Sequence, residues 1–224
     1  MEYRSSSQAF KFEIYTIIQM AKIIYKENKI DVANISNQVG MGLPKVREFV
    51  QYMRFCDMMK DGGLSNFGRT LLALERSPSL REELLLYKLS RGSLNGGHYY
   101  FSRLINQVLY NYAFQINNSV SKEQILDKAL MCEEEKEFSK DNDHNKERNY
   151  IQALNQGLCD ITTGFGKMGM VALKDGLYEV SGYKPHKLIT AYIVYDNWPK
   201  SRAALKLDEI RTMDYFPGKI FFML

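Results

Sequence analysis

The chain has little of what marks most specialised protein classes. Only three cysteines occur in 224 residues (Cys56, Cys132 and Cys159), and none forms a C-x-x-C pair. Neither a disulfide framework nor a zinc knuckle is indicated, and a reducing cytoplasm is the expected compartment. No apolar run reaches the roughly 18 residues of a membrane span, so no membrane association is expected. The opening MEYRSSSQAFKFE lacks a continuous apolar stretch and a small-residue cleavage pattern, which argues against secretion. Histidine is scarce: His98, His144 and His186 are far apart, with no carboxylate or cysteine at metal-ligand spacing. No P-loop and no distinctive Ser/His/Asp arrangement occurs. The expectation is therefore a protein without cofactor or metal and without enzymatic activity.

What is present is ordinary for a globular chain, 45% hydrophobic and 25% charged. At roughly 100–200 residues per domain, the length allows one compact domain or two small modules. The net charge of +4 is a weak nucleic-acid signal, but its distribution says more. Residues 1–130 carry net +5, residues 131–163 net −4 and residues 164–224 net +3. Two basic blocks around an acidic connector fit two modules.

Periodicity gives the order of elements. Residues 8–28 read as an amphipathic helix, with Phe10, Ile14, Ile17, Ile18, Ala21, Ile24 and Tyr25 recurring at three- and four-residue steps. A short helix follows, with Asp31 as its N-cap and Gly40 as its stop. Pro44 fits the first turn of a third helix, PKVREFVQYMRFCDMM, which buries Val46, Phe49, Val50 and Met53 and leaves Tyr52 outside that stripe. Asp61-Gly62-Gly63 predicts a small hairpin, and Asn66 to Glu75 a further helix. This is the order of a helix-turn-helix with a wing.

The order then repeats. Ser79 is the expected cap of LREELLLYKLS, and Arg91–Gly97 the expected loop. HYYFSRLINQVLYNYAFQI reads as a long helix. Ser121 and Gln124 form a weak capping box for KEQILDKALM. The polar stretch at 132–145 reads as a mobile loop, and KERNYIQALNQGLCDI as the next helix. Lys174-Asp175-Gly176 is the strongest hairpin signal in the chain. The tail reads as a helix from Pro185, a short helix in ALKLDEIRTMD, and a strand in FPGKIFFML. The predicted fold class is mainly α with small β-hairpins, a tandem winged helix-turn-helix. Its expected parts are residues 1–78, a connector at 79–97, a second winged helix at 98–182, and C-terminal helices with a terminal strand at 183–224.

Candidate chemistry is sparse. Gly164–Gly169 spells G-x-G-x-x-G, but a helix precedes it and a hairpin follows, the wrong context for a dinucleotide. These glycines more plausibly let the chain turn into the wing. The run Glu133–Glu135 reads as a solvated loop rather than a metal site. Tyr15, Tyr99, Phe101, Tyr112 and Tyr192 fall at core spacing rather than forming a base-stacking platform. What remains is basic. In the first module Lys45, Arg54, Lys60 and Arg69 suit phosphate anchoring, and Arg47 and Gln51 stand nearest to base edges. In the second, Lys146 and Arg148 lie on the analogous helix, with Lys167 and Lys174 in the wing.

The segments "VGMGLPKVREFVQYMRFCDMM…LSNFGRTLL", "SLREELLLYKLSRGS…YYFSRLINQ", "DGLYEVSGYKPHKLITAYIVYDNW" and "FPGKIFFML" resemble domain-of-unknown-function family four-thousand-and-seven over roughly residues 35–224. The N-terminal third departs from that family's aromatic, His-containing opening. The resemblance implies a protein encoded near DNA-phosphorothioation and phosphosulfate-reductase-like genes in prokaryotic defence loci. It carries over no catalytic residue, because the family has no established activity. The resulting expectation is a non-catalytic protein that binds double-stranded DNA, a subunit or regulator of a defence or DNA-modification system, with other subunits of such a complex as possible partners. The alternative is an adaptor that assembles such a complex without meeting DNA, docking partner proteins through the same winged-helix surface and using FPGKIFFML to pair with a partner's sheet edge. Oligomeric state is open.

Overall fold

The computed structural model describes residues 12–91, 99–131 and 143–223. They form a mainly helical fold with two small antiparallel sheets. The first group is α1 (Ile14–Glu27), α2 (Val32–Val39) and α3 (Leu43–Phe55). Each buries one apolar face against the others: Ile17, Ala21 and Ile24 from α1, Ile35 from α2, Val46, Phe49 and Met53 from α3. The Asp31 carboxylate accepts from the Asn34 N–H and opens α2, as its position predicts. A short hairpin follows, β1 (Met59–Lys60) and β2 (Gly63–Leu64), then α4 (Asn66–Ala73). The Ile30 N–H donates to the Gly62 carbonyl at 3.1 Å, tying the α1–α2 link to the hairpin tip.

Helix α5 (Pro78–Ser90) is the strut of the molecule. Every residue from Glu83 to Ser90 is buried, so it has neighbours all round rather than one apolar stripe. Helix α6 starts at Tyr99–Arg103 and continues in wide π-type turns through Leu104–Asn117. Then come β3 (Ser119–Ser121), α7 (Lys122–Met131), α8 (Asp143–Gln152, continued in wide turns through Ala153–Cys159), β4 (Val171–Lys174) and β5 (Leu177–Val180). The three strands lie in the order β3-β5-β4, with Val120 and Leu173 both opposite Tyr178. Asp175 and Gly176 both take positive φ at the β4–β5 turn, the backbone that a two-residue hairpin matched to strand twist requires. The chain closes with α9 (Lys187–Asp196), α10 (Leu207–Thr212) and α11 (Pro217–Ile220).

One continuous hydrophobic cluster runs from Phe12 to Phe222. The two halves meet where Phe12 stacks on Phe165 at 5.4 Å, with Phe101 on the same ring at 5.8 Å.

Several sequence expectations are corrected. The terminal run FPGKIFFML is not a strand: Pro217 starts a helical turn, and Phe221 and Phe222 are buried under α6 and the β5–α9 link. An apolar run looks the same whether it pairs with a sheet or plugs a core. Helix α5 begins at Pro78, with Ser77 rather than Ser79 at the cap position. Helix α9 begins at Lys187, and His186 caps it by accepting from the Leu188 N–H through Nδ1. Tyr52 is buried, whereas Tyr15 is 74% exposed and Tyr25 also faces solvent. Helix α8 starts at Asp143, inside the stretch read as a loop. The remainder of that stretch (132–142), the loop after Arg91, and His98 lie outside the described residues.

Candidate nucleic-acid interface

Helix α3 positions the first set of candidates. Its buried face (Val46, Phe49, Val50, Tyr52, Met53) turns Arg47, Gln51 and Arg54 to the opposite side. Arg47 is exposed and makes no ion pair among the described residues. Arg54 is exposed too, and its guanidinium donates to the Gln51 side-chain carbonyl at 3.3 Å. The three side chains thus form one polar row with no carboxylate bound to it among the described residues. Lys45 is less free. Its ammonium lies 3.8 Å from Glu13 and over the Phe49 ring. Burial holds the neighbouring Glu48 carboxyl above its ordinary range, against a hydrogen bond from Tyr52.

The hairpin and α4 supply the second set. Lys60 and Arg69 are exposed, have no ion pair among the described residues, and line one cleft with Asn28, Asp57, the exposed Asp61, Ser65 and Phe67. Asp57, though its side chain is 41% exposed, is already engaged: Arg91 donates to it at 2.7 Å and the Lys88 ammonium lies 3.1 Å away. The Ser65 hydroxyl caps α4 by accepting from the Gly68 N–H and donates to the Asp57 carbonyl, fixing the hairpin's base.

The second group of basic candidates is more divided. Arg148 is exposed and unpaired among the described residues. Lys146 is partly buried and already engaged with a neighbouring group. Lys167 is exposed but close enough to Glu82 to offset some of the upward push that burial gives that carboxyl. Lys174 is bound to Glu179 across its own hairpin, so it does not stand as a free cation.

The glycine motif is a packing device. A Cβ on Gly164 would come within 2.4 Å of the Gln156 carbonyl oxygen, and one on Gly166 within 2.3 Å of the Cys159 carbonyl oxygen. Only bare backbone can fold back so closely on the end of α8. Burial pushes the Cys56 and Cys159 thiols well up, the latter to about 12, which makes both poor nucleophiles at neutral pH.

The most elaborate charged group was not anticipated from the sequence. Lys88 has a side chain only 5% exposed, and its ammonium sits 3.0 Å from Asp196 and 3.1 Å from Asp57. It lies over the rings of Phe67, Tyr87 and Tyr192. Tyr87 donates to Asp196, and Asn197 donates to Tyr87. This group joins the base of the first hairpin to α5 and α9. The available signal was a lone lysine inside the apolar run LLLYKLS.

No family model matches the sequence, nor does any curated protein. Among solved structures, magnesium ion-bound SspB is similar in fold, with a TM-score of 0.62 over 96% of this chain and 75% of that one. The sequences are 15% identical, so the likeness speaks for the fold alone.

Proposed function

We propose that the protein is a non-catalytic, double-stranded DNA-binding protein built from two winged helices, serving as a subunit or regulator of a prokaryotic defence or DNA-modification system. One observation carries this reading: Arg47 and Arg54 are exposed with the half-buried Gln51 in one row on α3, and Lys60 and Arg69, which make no ion pair among the described residues, line a cleft at the following hairpin. Arg and Gln are suited to base edges in the major groove, while Lys60 and Arg69 on the wing side meet phosphates. Topology supports the winged-helix reading. The first half runs helix, helix, helix, hairpin. The second runs helix, strand, helix, helix, hairpin, with β3 pairing to the last strand, as a wing needs. The genomic setting comes from the family resemblance.

Arg148 is the best candidate for a second contact. The proposal assigns no residue to the magnesium named with SspB, since no group of three His, Cys, Asp or Glu among the described residues is placed to hold an ion. The adaptor alternative loses one of its two supports, the terminal strand, because Pro217–Ile220 is helical and Phe221 and Phe222 are buried; docking of a partner through the winged-helix surface is untouched.

The test is an electrophoretic shift with random duplex at two salt concentrations. Salt-sensitive binding that weakens on Arg47→Ala and Arg54→Ala is the expected result. Unchanged affinity in both variants rejects the assignment of α3. A complex with neighbouring gene products but no shift at any salt concentration favours the adaptor.

A further inference from the structure

Helix α9 carries apolar residues on two faces. Ile189 and Ile193 are buried against α5 and α11. Leu188 (63% exposed), Ala191 and Tyr195 (83% exposed) stand on the outside at i, i+3 and i+7, a single stripe along the helix. Trp198 extends the stripe past the helix end. Its indole N–H donates to the Arg202 carbonyl at 2.8 Å, which fixes the ring in place. An apolar helix face of this length, ending in Tyr and Trp, has the composition of a binding hot spot.

The unpaired charges flanking it on α9 and its two ends are lysines. Lys184, Lys187 and Lys200 are exposed and make no ion pair among the described residues. Of the carboxylates on the neighbouring segments, Asp196 binds Tyr87 and Lys88, Glu209 is gripped by Arg202 and Asp214 by Lys219, while the exposed Asp208 lies 3.8 Å from Arg211. We infer that the outer face of α9 docks an acidic amphipathic helix of a protein partner. Its apolar residues, at i, i+3, i+4 and i+7, pack on Leu188, Ala191 and Tyr195. Its flanking carboxylates meet Lys184, Lys187 and Lys200. A partner whose contacts are aliphatic fits Leu188 and Ala191 better than a nucleic acid does, since bases would use only the two aromatic rings.

The test selects binders to the full chain from a displayed library of helical peptides, with Leu fixed at i, i+3, i+4 and i+7 and every other position drawn from Glu, Lys, Ala and Gln. Enrichment of Glu on the flanks is expected, with affinity falling about tenfold or more on Tyr195→Ser and on the double change Lys187→Glu, Lys200→Glu. All three positions are exposed, so thermal unfolding is expected to stay unchanged and acts as the folding control. No enrichment over the Tyr195→Ser chain, or enrichment of Lys, overturns the inference. So does binding of a labelled single-stranded oligonucleotide that is lost on Tyr195→Ser but kept on Lys60→Ala, Arg69→Ala. Duplex binding by the Tyr195→Ser chain is read alongside, so failure here is separable from failure of the α3 assignment.

Discussion

Replacing Lys60 and Arg69 together by alanine tests the geometry of the first hairpin quantitatively. Both side chains are exposed, line the same cleft and have no carboxylate bound among the described residues. Their removal leaves no unpaired partner behind, and stability is expected to change by no more than about 0.5 kcal/mol. With Lys45 held near Glu13, the proposed phosphate anchors of this half that remain free among the described residues are Arg54, Lys60 and Arg69. Each phosphate neutralised contributes about 0.9 to the slope of log K against log salt, so three predict a slope of about −2.7. Going from 50 to 200 mM salt would then weaken the unaltered protein about 40-fold. The double variant keeps one anchor, a slope of about −0.9 and a loss of only about 3.5-fold over the same range. If Arg148 and Lys167 also reach the duplex, both slopes steepen by about 1.8 and their difference is preserved. Fluorescence anisotropy on a labelled random duplex measures these slopes. A double variant that binds with an unaltered slope refutes the placement of phosphate beside the hairpin, whatever its affinity at one salt concentration.

Three further outcomes follow from the interior. Asp196→Ala takes one of two counter-ions from a buried ammonium and is expected to cost about 3–5 kcal/mol in urea unfolding; a loss below about 1 kcal/mol would show the Lys88 group to be inessential. The same group sets a pH window. Burial raises the Asp196 carboxyl, but hydrogen bonds from Tyr87 and Lys88 and the charges of Lys88 and Arg91 leave it below its ordinary value of 3.8. Its stabilisation is therefore complete above that value and lost as pH falls through the lower folded value. Burial lowers Lys88, but Asp196 and Tyr192 together leave it above 10.5, so its contribution is complete below 10.5 and lost as pH rises further. Stability measured against pH should fall less steeply at both ends in Lys88→Met, and an unchanged profile would contradict the coupling. Finally, Gly166→Ala drives a Cβ into the Cys159 backbone, at about 1–3 kcal/mol, while Gly169→Ala has open space and meets only the left-handed backbone, at about 1 kcal/mol. Thermal denaturation giving the reverse order would refute the packing role of the motif.

The parts of the fold legible in the sequence are those with local causes. Asp31 and Ser121 announce helix starts because their side chains satisfy N–H groups three residues on. Asp61-Gly62 and Asp175-Gly176 announce hairpins because few other residue pairs accept two left-handed conformations in a row. Arg47, Gln51 and Arg54 could be placed on one face from spacing alone. Non-local features were illegible. Strand β3 is three residues long and exists through its pairing with β5. Phe221 and Phe222 read as strand because nothing nearby says that α6 covers them. The lysines differ in the same way: spacing cannot reveal that Lys174 finds Glu179 while Lys60 finds no carboxylate among the described residues.

The aromatic-lined ammonium also bears on how the molecule can be divided. Lys88 comes from the middle of the sequence, Asp57 and Phe67 from the first hairpin and its following helix, Asp196 and Tyr192 from α9. A fragment ending before α9 would strand a cation in a greasy niche with half its anions gone. The packing around the first hairpin is thus underwritten by residues synthesised long after it, and severing the halves should yield an insoluble N-terminal piece rather than a separately folded module.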